Sequence, residues 1–334
     1  MSKYIFSYTF LLILSKLLKV TSTLLENIGL PKEMTNSAAS KYRAPLYVLI
    51  FGVLFGATIS MAKVAANHGI QPLSLVFWQM LAGGLLLALT AAFKKQPLKF
   101  SPRYLRYYFV AGILGNALPT TLAFTASIKI GAALTGLVYP LSPVFTYAFS
   151  LIMRLDRIRK WKIIGMLFGL FGALIIVLPP MLNKNPEEIA LLPPLWILLA
   201  FTIPVFLGLG NIYRSIDWPA GSASLPLAAG MLIATSILLL PALLLTDAPI
   251  IPRFTSNIQT AILTGNIIMS YVGFIFYFEL QRIADPVYFS QISYFITITT
   301  LFFGYLVFGE SFELYILPSI VLMFMGLYLV SRGQ

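Results

Sequence analysis

Cysteine is absent from the chain, and histidine occurs once, as His68. The first absence removes disulfides, thiolate nucleophiles and cysteine-bound metals. The second removes any histidine cluster for zinc chemistry. Charge is scarce as well: 10 % of residues are Asp, Glu, Lys or Arg, where a soluble domain carries roughly 25 %. Acidic side chains are the scarcest, 11 against 23 basic ones, for a formal charge of +12. No loop carries a GxxxxGK[ST] phosphate cradle, and the connections between apolar runs are too short for a nucleotide-binding domain.

What is abundant is apolar: 59 % of residues are hydrophobic. A soluble domain of this size cannot hide so many, whereas lipid solvates them. Many runs approach the roughly 20 residues that cross a hydrocarbon core. The roughly 10-residue alternating segments of a membrane barrel do not appear. The expected fold is therefore an all-α polytopic membrane protein. The apolar runs give ten transmembrane helices, at about 46–67, 73–93, 105–126, 131–152, 160–180, 192–213, 223–245, 256–279, 286–307 and 313–331.

The basic residues sit in short loops, so they read as topology signals rather than as a nucleic-acid surface. With the N-terminus in the cytoplasm, inside positions hold Lys41, Arg43, Lys94, Lys95, Lys99, Arg103, Arg106, Arg154, Arg157, Arg159, Lys160, Lys162, Arg214, Arg282 and Arg332. Outside positions hold Lys63, Lys129, Lys184 and Arg253. That asymmetry places both termini in the cytoplasm of a bacterial-type inner membrane. Residues 1–42 form an N-terminal tail with two open readings. One is an interfacial amphipathic helix; the other is a spurious upstream extension ahead of a start at Met34.

The halves resemble each other weakly. AGILGN at 111–116 matches AILTGN at 261–266, ASIKI at 126–130 matches ELQRI at 279–283, and GALIIV at 172–177 matches GLYLV at 326–330 in character. This defines two units, 43–180 and 193–332, of five spans each. An odd span count inverts the second unit in the membrane, the arrangement of many secondary transporters.

Two further stretches carry a family resemblance: LIMRLDRIRKWKIIGMLFGLFGALIIV at 151–177 and YLVFGESFELYILPSIVLMFMGLYLV at 305–330. In each, a fourth span ends near an acidic residue, Asp156 or Glu310, and a glycine-containing fifth span follows. The pattern resembles the drug/metabolite transporter superfamily, EamA-type branch, where glutamate is usual; Asp156 is a shorter variant. The resemblance implies a ten-helix fold, cytoplasmic termini, a central cavity and transport of small organic metabolites such as amino acids, cofactors, nucleosides or drug-like solutes. It implies no bound cofactor and no metal.

Polar groups inside spans are costly and carry a functional expectation. The cavity candidates are Trp78, Gln79, Asn116, Tyr139, Asn211, Asn266, Tyr271, Tyr277, Tyr288 and Gln291. Asn116 and Asn266 each follow a glycine in the third span of their unit, and both are expected to face inward, as solute ligands or as interhelical glue. Trp78 is either a stacking surface or part of the interfacial belt. Tyr288, Gln291 and Phe295 share a helical face. Glu279 is either a proton-coupling group or, with Arg282 three residues on, half of a structural latch. Asp285 with Pro286 reads as a helix start. Pro140 and Pro143 bend the fourth span beside Tyr139. Gly165 and Gly169 mark close helix contact, within the chain or in a homodimer. The expected partners are thus a small organic solute, membrane lipid, a proton or cation as coupling ion, and a second copy of the chain; nucleic acid is not among them. A lipid-processing membrane enzyme is the alternative class, but it needs clustered nucleophile, base or metal residues. A passive channel or structural membrane protein is the third, and a channel needs polar lining in every unit.

Overall fold

The computed structural model describes residues 38–131, 135–136, 138–182, 194–246, 257–308 and 316–333. The tail ahead of residue 38, Lys184, Arg253 and Glu310 lie outside the described residues. Helices occupy the apolar stretches: α1 (Ala38–Asn67), α2 (Pro72–Phe93), α3 (Pro102–Gly112), α4 (Leu118–Lys129), α5 (Ser142–Ile152) and α6 (Lys160–Leu182). They continue with α7 (Pro194–Ile216), α8 (Ser224–Leu245), α9 (Asn257–Ile283), α10 (Pro286–Ser290), α11 (Ile292–Phe308) and α12 (Ile316–Arg332). Helix is the expected answer in lipid, because each backbone N–H and C=O must find its partner within the segment.

Local sequence sets several starts. Pro72, Pro102 and Pro286 open their helices, where the missing N–H costs nothing. The Asp285 carboxylate accepts from the backbone N–H groups of Val287 and Tyr288, each at 2.8 Å, and caps α10.

Among the described residues, six helices are long and apolar enough to cross a membrane: Arg43–Asn67, Pro72–Phe93, Pro102–Lys129, Leu195–Ile216, Ser224–Leu245 and Asn257–Ile283. The molecule is an all-α polytopic membrane protein. Its core is apolar like that of a soluble fold, but its surface is apolar too, and some polar side chains are buried. Leu85, Leu89, Phe93, Leu198 and Leu244 are more than half exposed, while Gln79, Asn211, Arg214, Asn266, Gln281 and Gln291 are buried. Lipid covers the first set, and interhelical contact covers the second.

Three of the described stretches depart from regular helix. The expected span 131–152 contains a 3₁₀ turn, Tyr139–Leu141. The expected span 105–126 contains a π-turn, Ile113–Ala117, between α3 and α4. The expected span 286–307 breaks at Gln291, between α10 and α11.

Helices pack in a crossed pattern. α1 lies against α9 and α11, and α7 lies against α4 and α5. α2 packs on α8 and α9, α3 on α8, and α6 on α12. Glycines set the closest seams. A Cβ on Gly165 would fall 2.7 Å from the Gly326 carbonyl oxygen, and one on Gly326 would fall 2.6 Å from that of Gly165. A Cβ on Gly169 would enter the Tyr294 ring. The Gly165–Gly169 face is therefore filled from within the chain, by α12 and α11.

Candidate solute cavity

A cavity lies among α1, the π-turn, α7, α9 and the α10–α11 break. Its wall includes Phe51, Phe55, Gly115, Asn116, Tyr139, Ser142, Asn211, Tyr277, Phe289 and Ser293, and its volume is about 40 Å³. Each wall residue has a local reason for its place. The π-turn inserts one extra residue per turn and so turns Gly115 and Asn116 inward; such turns recur at functional sites. The Tyr139–Leu141 segment is a 3₁₀ turn with Pro140 inside it, and Pro143 follows in the first turn of α5. That turn delivers Tyr139 and Ser142 to the cavity. On α10 and α11, Phe289, Ser293 and Ile296 fall at i, i+4 and i+7, one face of the broken helix.

The wall is aromatic on one side. Tyr277 sits 4.5 Å from Phe51 and 4.7 Å from Phe289, measured between ring centres, and Phe51 stacks on Phe55 at 5.4 Å. Behind it lies a buried polar network. Arg214, with no exposed surface, donates from Nη2 to Asn211 Oδ1 (2.7 Å) and to the Tyr277 hydroxyl (2.5 Å), and from Nε to Gln281 Oε1 (3.3 Å). Gln281 donates to the Ser215 hydroxyl at 2.7 Å, and Asn211 donates to Thr146 Oγ1 at 3.2 Å. Among the described residues, Nη1 of Arg214 has no partner.

Of the ten sequence-derived cavity candidates, Asn116, Tyr139, Asn211 and Tyr277 line this space together. The other six lie elsewhere. Trp78 is half-buried, edge-on to Phe77 at 5.6 Å. Among the described residues, neither amide atom of the buried Gln79 has a partner, nor does Asn266 Oδ1. Asn266 donates to the Ile262 carbonyl one turn back, at 3.3 Å. Tyr271 shares a hydrogen bond with Thr90 at 2.9 Å, joining α9 to α2. Tyr288 and Gln291 are buried on the side of α10–α11 turned from the cavity. Arg214 escaped the sequence reading, which filed it with the topology-setting cations; its neighbours Asn211 and Tyr213 in GNIYRS were the available hint.

Ion pairs cluster at the end of the bundle bearing Lys94 and Arg103. Glu279 pairs with Arg282 at 2.8 Å and accepts a hydrogen bond from Ser224. Both line an open polar recess with Lys94, Gln96 and Ser224. Lys162, almost wholly buried, bridges Asp156 (2.6 Å) and Asp285 (3.1 Å). Arg106 pairs with Asp217 at 2.7 Å.

The described helices form an all-α membrane bundle with an aromatic-walled cavity between them. The profile of the EamA-like transporter family matches residues 42–178 and again 194–332. The chain belongs to that family. It is 29 % identical over 124 residues to one WAT1-related protein of Arabidopsis thaliana and 28 % over 133 to another. These alignments cover 34 % and 37 % of this chain, and 35 % and 37 % of the relatives' own length. A protein described as an uncharacterized transporter, YoaV of Bacillus subtilis, is 22 % identical over 285 residues, covering 85 % of this chain and 95 % of that one. A crystal structure superposes with a TM-score of 0.64 at 18 % identity, covering 85 % of this chain and 96 % of its own, which establishes likeness of fold.

Proposed function

We propose that the chain is a secondary transporter that moves a small organic solute across the membrane by alternating access. In this reading ten crossings form two inverted units, 43–180 and 193–332. The helix pairing supports it and carries the argument. Matching α1, α2, α3–α4, α5 and α6 to α7, α8, α9, α10–α11 and α12 in order turns every major contact into another. The contact of α1 with α9 becomes that of α7 with α4, α1 with α11 becomes α7 with α5, and α2 with α9 becomes α8 with α3. The pairs α2–α8 and α6–α12 map onto themselves. Such exchange is what a two-fold axis between opposed halves requires, and both halves contribute to the cavity wall, as transporters of this design place their site.

The basic end is cytoplasmic in this account, with both termini there, in a bacterial-type inner membrane. Lys162 ties Asp156 of the first unit to Asp285 of the second, and Arg106 ties to Asp217 in the same way. These pairs hold the cytoplasmic end shut, and outward–inward exchange must break them. Arg282 and Ser224 both engage Glu279, which favours the latch role over proton coupling.

The test is counterflow. Purified protein in sealed liposomes, preloaded with unlabelled solute, should take up labelled solute faster than empty liposomes do, with a rate that saturates. Uptake that stays linear with concentration and ignores preloading would overturn the proposal.

A further inference from the structure

Burying a guanidinium is costly unless its charge and its donors are matched. Arg214 is matched only in part. Its Nη2 and Nε donate to uncharged groups, Asn211, Tyr277 and Gln281, and its Nη1 donates to nothing among the described residues. The four acidic side chains among the described residues are all engaged with other cations: Asp217 with Arg106, Asp156 and Asp285 with Lys162, Glu279 with Arg282. Within the described residues one full positive charge thus stands at the bundle's interior without a counter-charge.

The free donor points to the cavity wall. A Cβ built on Gly115 would lie 1.8 Å from Nη1, so the guanidinium occupies the place a side chain there would need. Gly115, Asn211, Tyr277 and Phe289 all line the cavity. The guanidinium carbon stands 5.0 Å from the Tyr277 ring centre and 5.7 Å from that of Phe289. Gly115 of the π-turn thus meets the cavity and packs against Nη1, while Arg214 itself stands behind the wall and does not line it. Gly210 adds to the fit: its own Cβ would fall 2.7 Å from the Gly115 Cα, so α7 and the π-turn touch through backbone.

We infer that the cavity selects a solute carrying one carboxylate, drawn in by Arg214 and seated with its apolar body on the Phe51–Phe55–Tyr277–Phe289 wall. This deepens the transporter reading and rests on it for the solute's passage. One unmatched cation neutralises one negative charge; a phosphate dianion would leave an excess charge in a medium where Coulomb terms are large. If Arg214 served packing alone, an apolar residue would do as well at lower desolvation cost.

The experiment uses the purified full-length chain and matched probes: benzoate with benzamide, hexanoate with hexanamide, and phenyl phosphate as the dianion. Thermal stabilisation reads binding. The carboxylates should bind about tenfold or more tighter than their amides, and phenyl phosphate should not exceed them. Arg214→Gln should erase the carboxylate preference, and Arg214→Lys should retain part of it. Gly115→Ala keeps the arginine but places a methyl where Nη1 lies; it should weaken carboxylate binding even if Arg214→Gln fails to fold. Equal binding of acids and amides, a preference for phenyl phosphate, or a carboxylate preference unaltered in Gly115→Ala and in a folded Arg214→Gln would overturn the inference. Saturable counterflow of a neutral or cationic solute with no response to carboxylates would overturn the charge assignment and leave transport standing. Carboxylate binding without counterflow of any solute would do the reverse.

Discussion

Charged side chains are this protein's scarce resource, and the two that are buried among the described residues, Lys162 and Arg214, are held by identifiable partners. Lys162 is the clearest case. Its ammonium, nearly solvent-free, meets Asp156 at 2.6 Å and Asp285 at 3.1 Å. Lys162→Met should cost toward the lower end of the about 3–5 kcal/mol seen when one partner of a buried pair is lost, since the Asp285 side chain keeps 30 % exposure. Thermal melting in detergent checks this; a loss below about 0.5 kcal/mol, as for an exposed pair, would refute it. At this scale sequence reading had uneven success. Asn116, Asn211 and Tyr277 stood out because an amide or phenol inside an apolar run is conspicuous. Arg214 did not, because an arginine one turn from a span's end looks the same whether it snorkels to the interface or turns inward. Tyr288 and Gln291 were grouped with Phe295 on one face, whereas Phe289, Ser293 and Ile296 face the cavity. Periodicity defines faces but does not say which one meets a cavity.

Elements were far more legible than residues. Apolar length placed most of the described helix ends within a few residues, but α1 begins at Ala38, well ahead of the expected 46. Local breaks were not legible: nothing in ILGNA demands a π-turn, and the interruption at Gln291 has no proline or glycine to announce it. Tertiary contacts decide such features. The glycine seam between α6 and α12 shows the same division. Gly165 and Gly169 announced close packing, but their partner Gly326 lies far along the chain. In an ordinary helix Gly→Ala stabilises by about 0.5–1 kcal/mol. Here a Cβ on Gly326 would sit 2.6 Å from one backbone oxygen and 2.8 Å from the Gly169 nitrogen. The sign should reverse, with Gly326→Ala destabilising by about 1–3 kcal/mol as the helices part. A melting temperature equal to or above that of the parent protein would show that the seam yields.

For the whole molecule, the weak internal similarity and the loop charges lead to the proposal of two opposed units, and the exchange of helix contacts supports that proposal. The account turns on one claim: the cavity shared by the two units opens to each side of the membrane in turn. The natural lack of cysteine makes a direct test clean. Ser293→Cys places a single thiol on the cavity wall. In right-side-out and inside-out vesicles it should react with a membrane-impermeant thiol reagent from both sides, and bound solute should slow both reactions. Labelling from one side alone, or from neither, would contradict alternating access through this cavity.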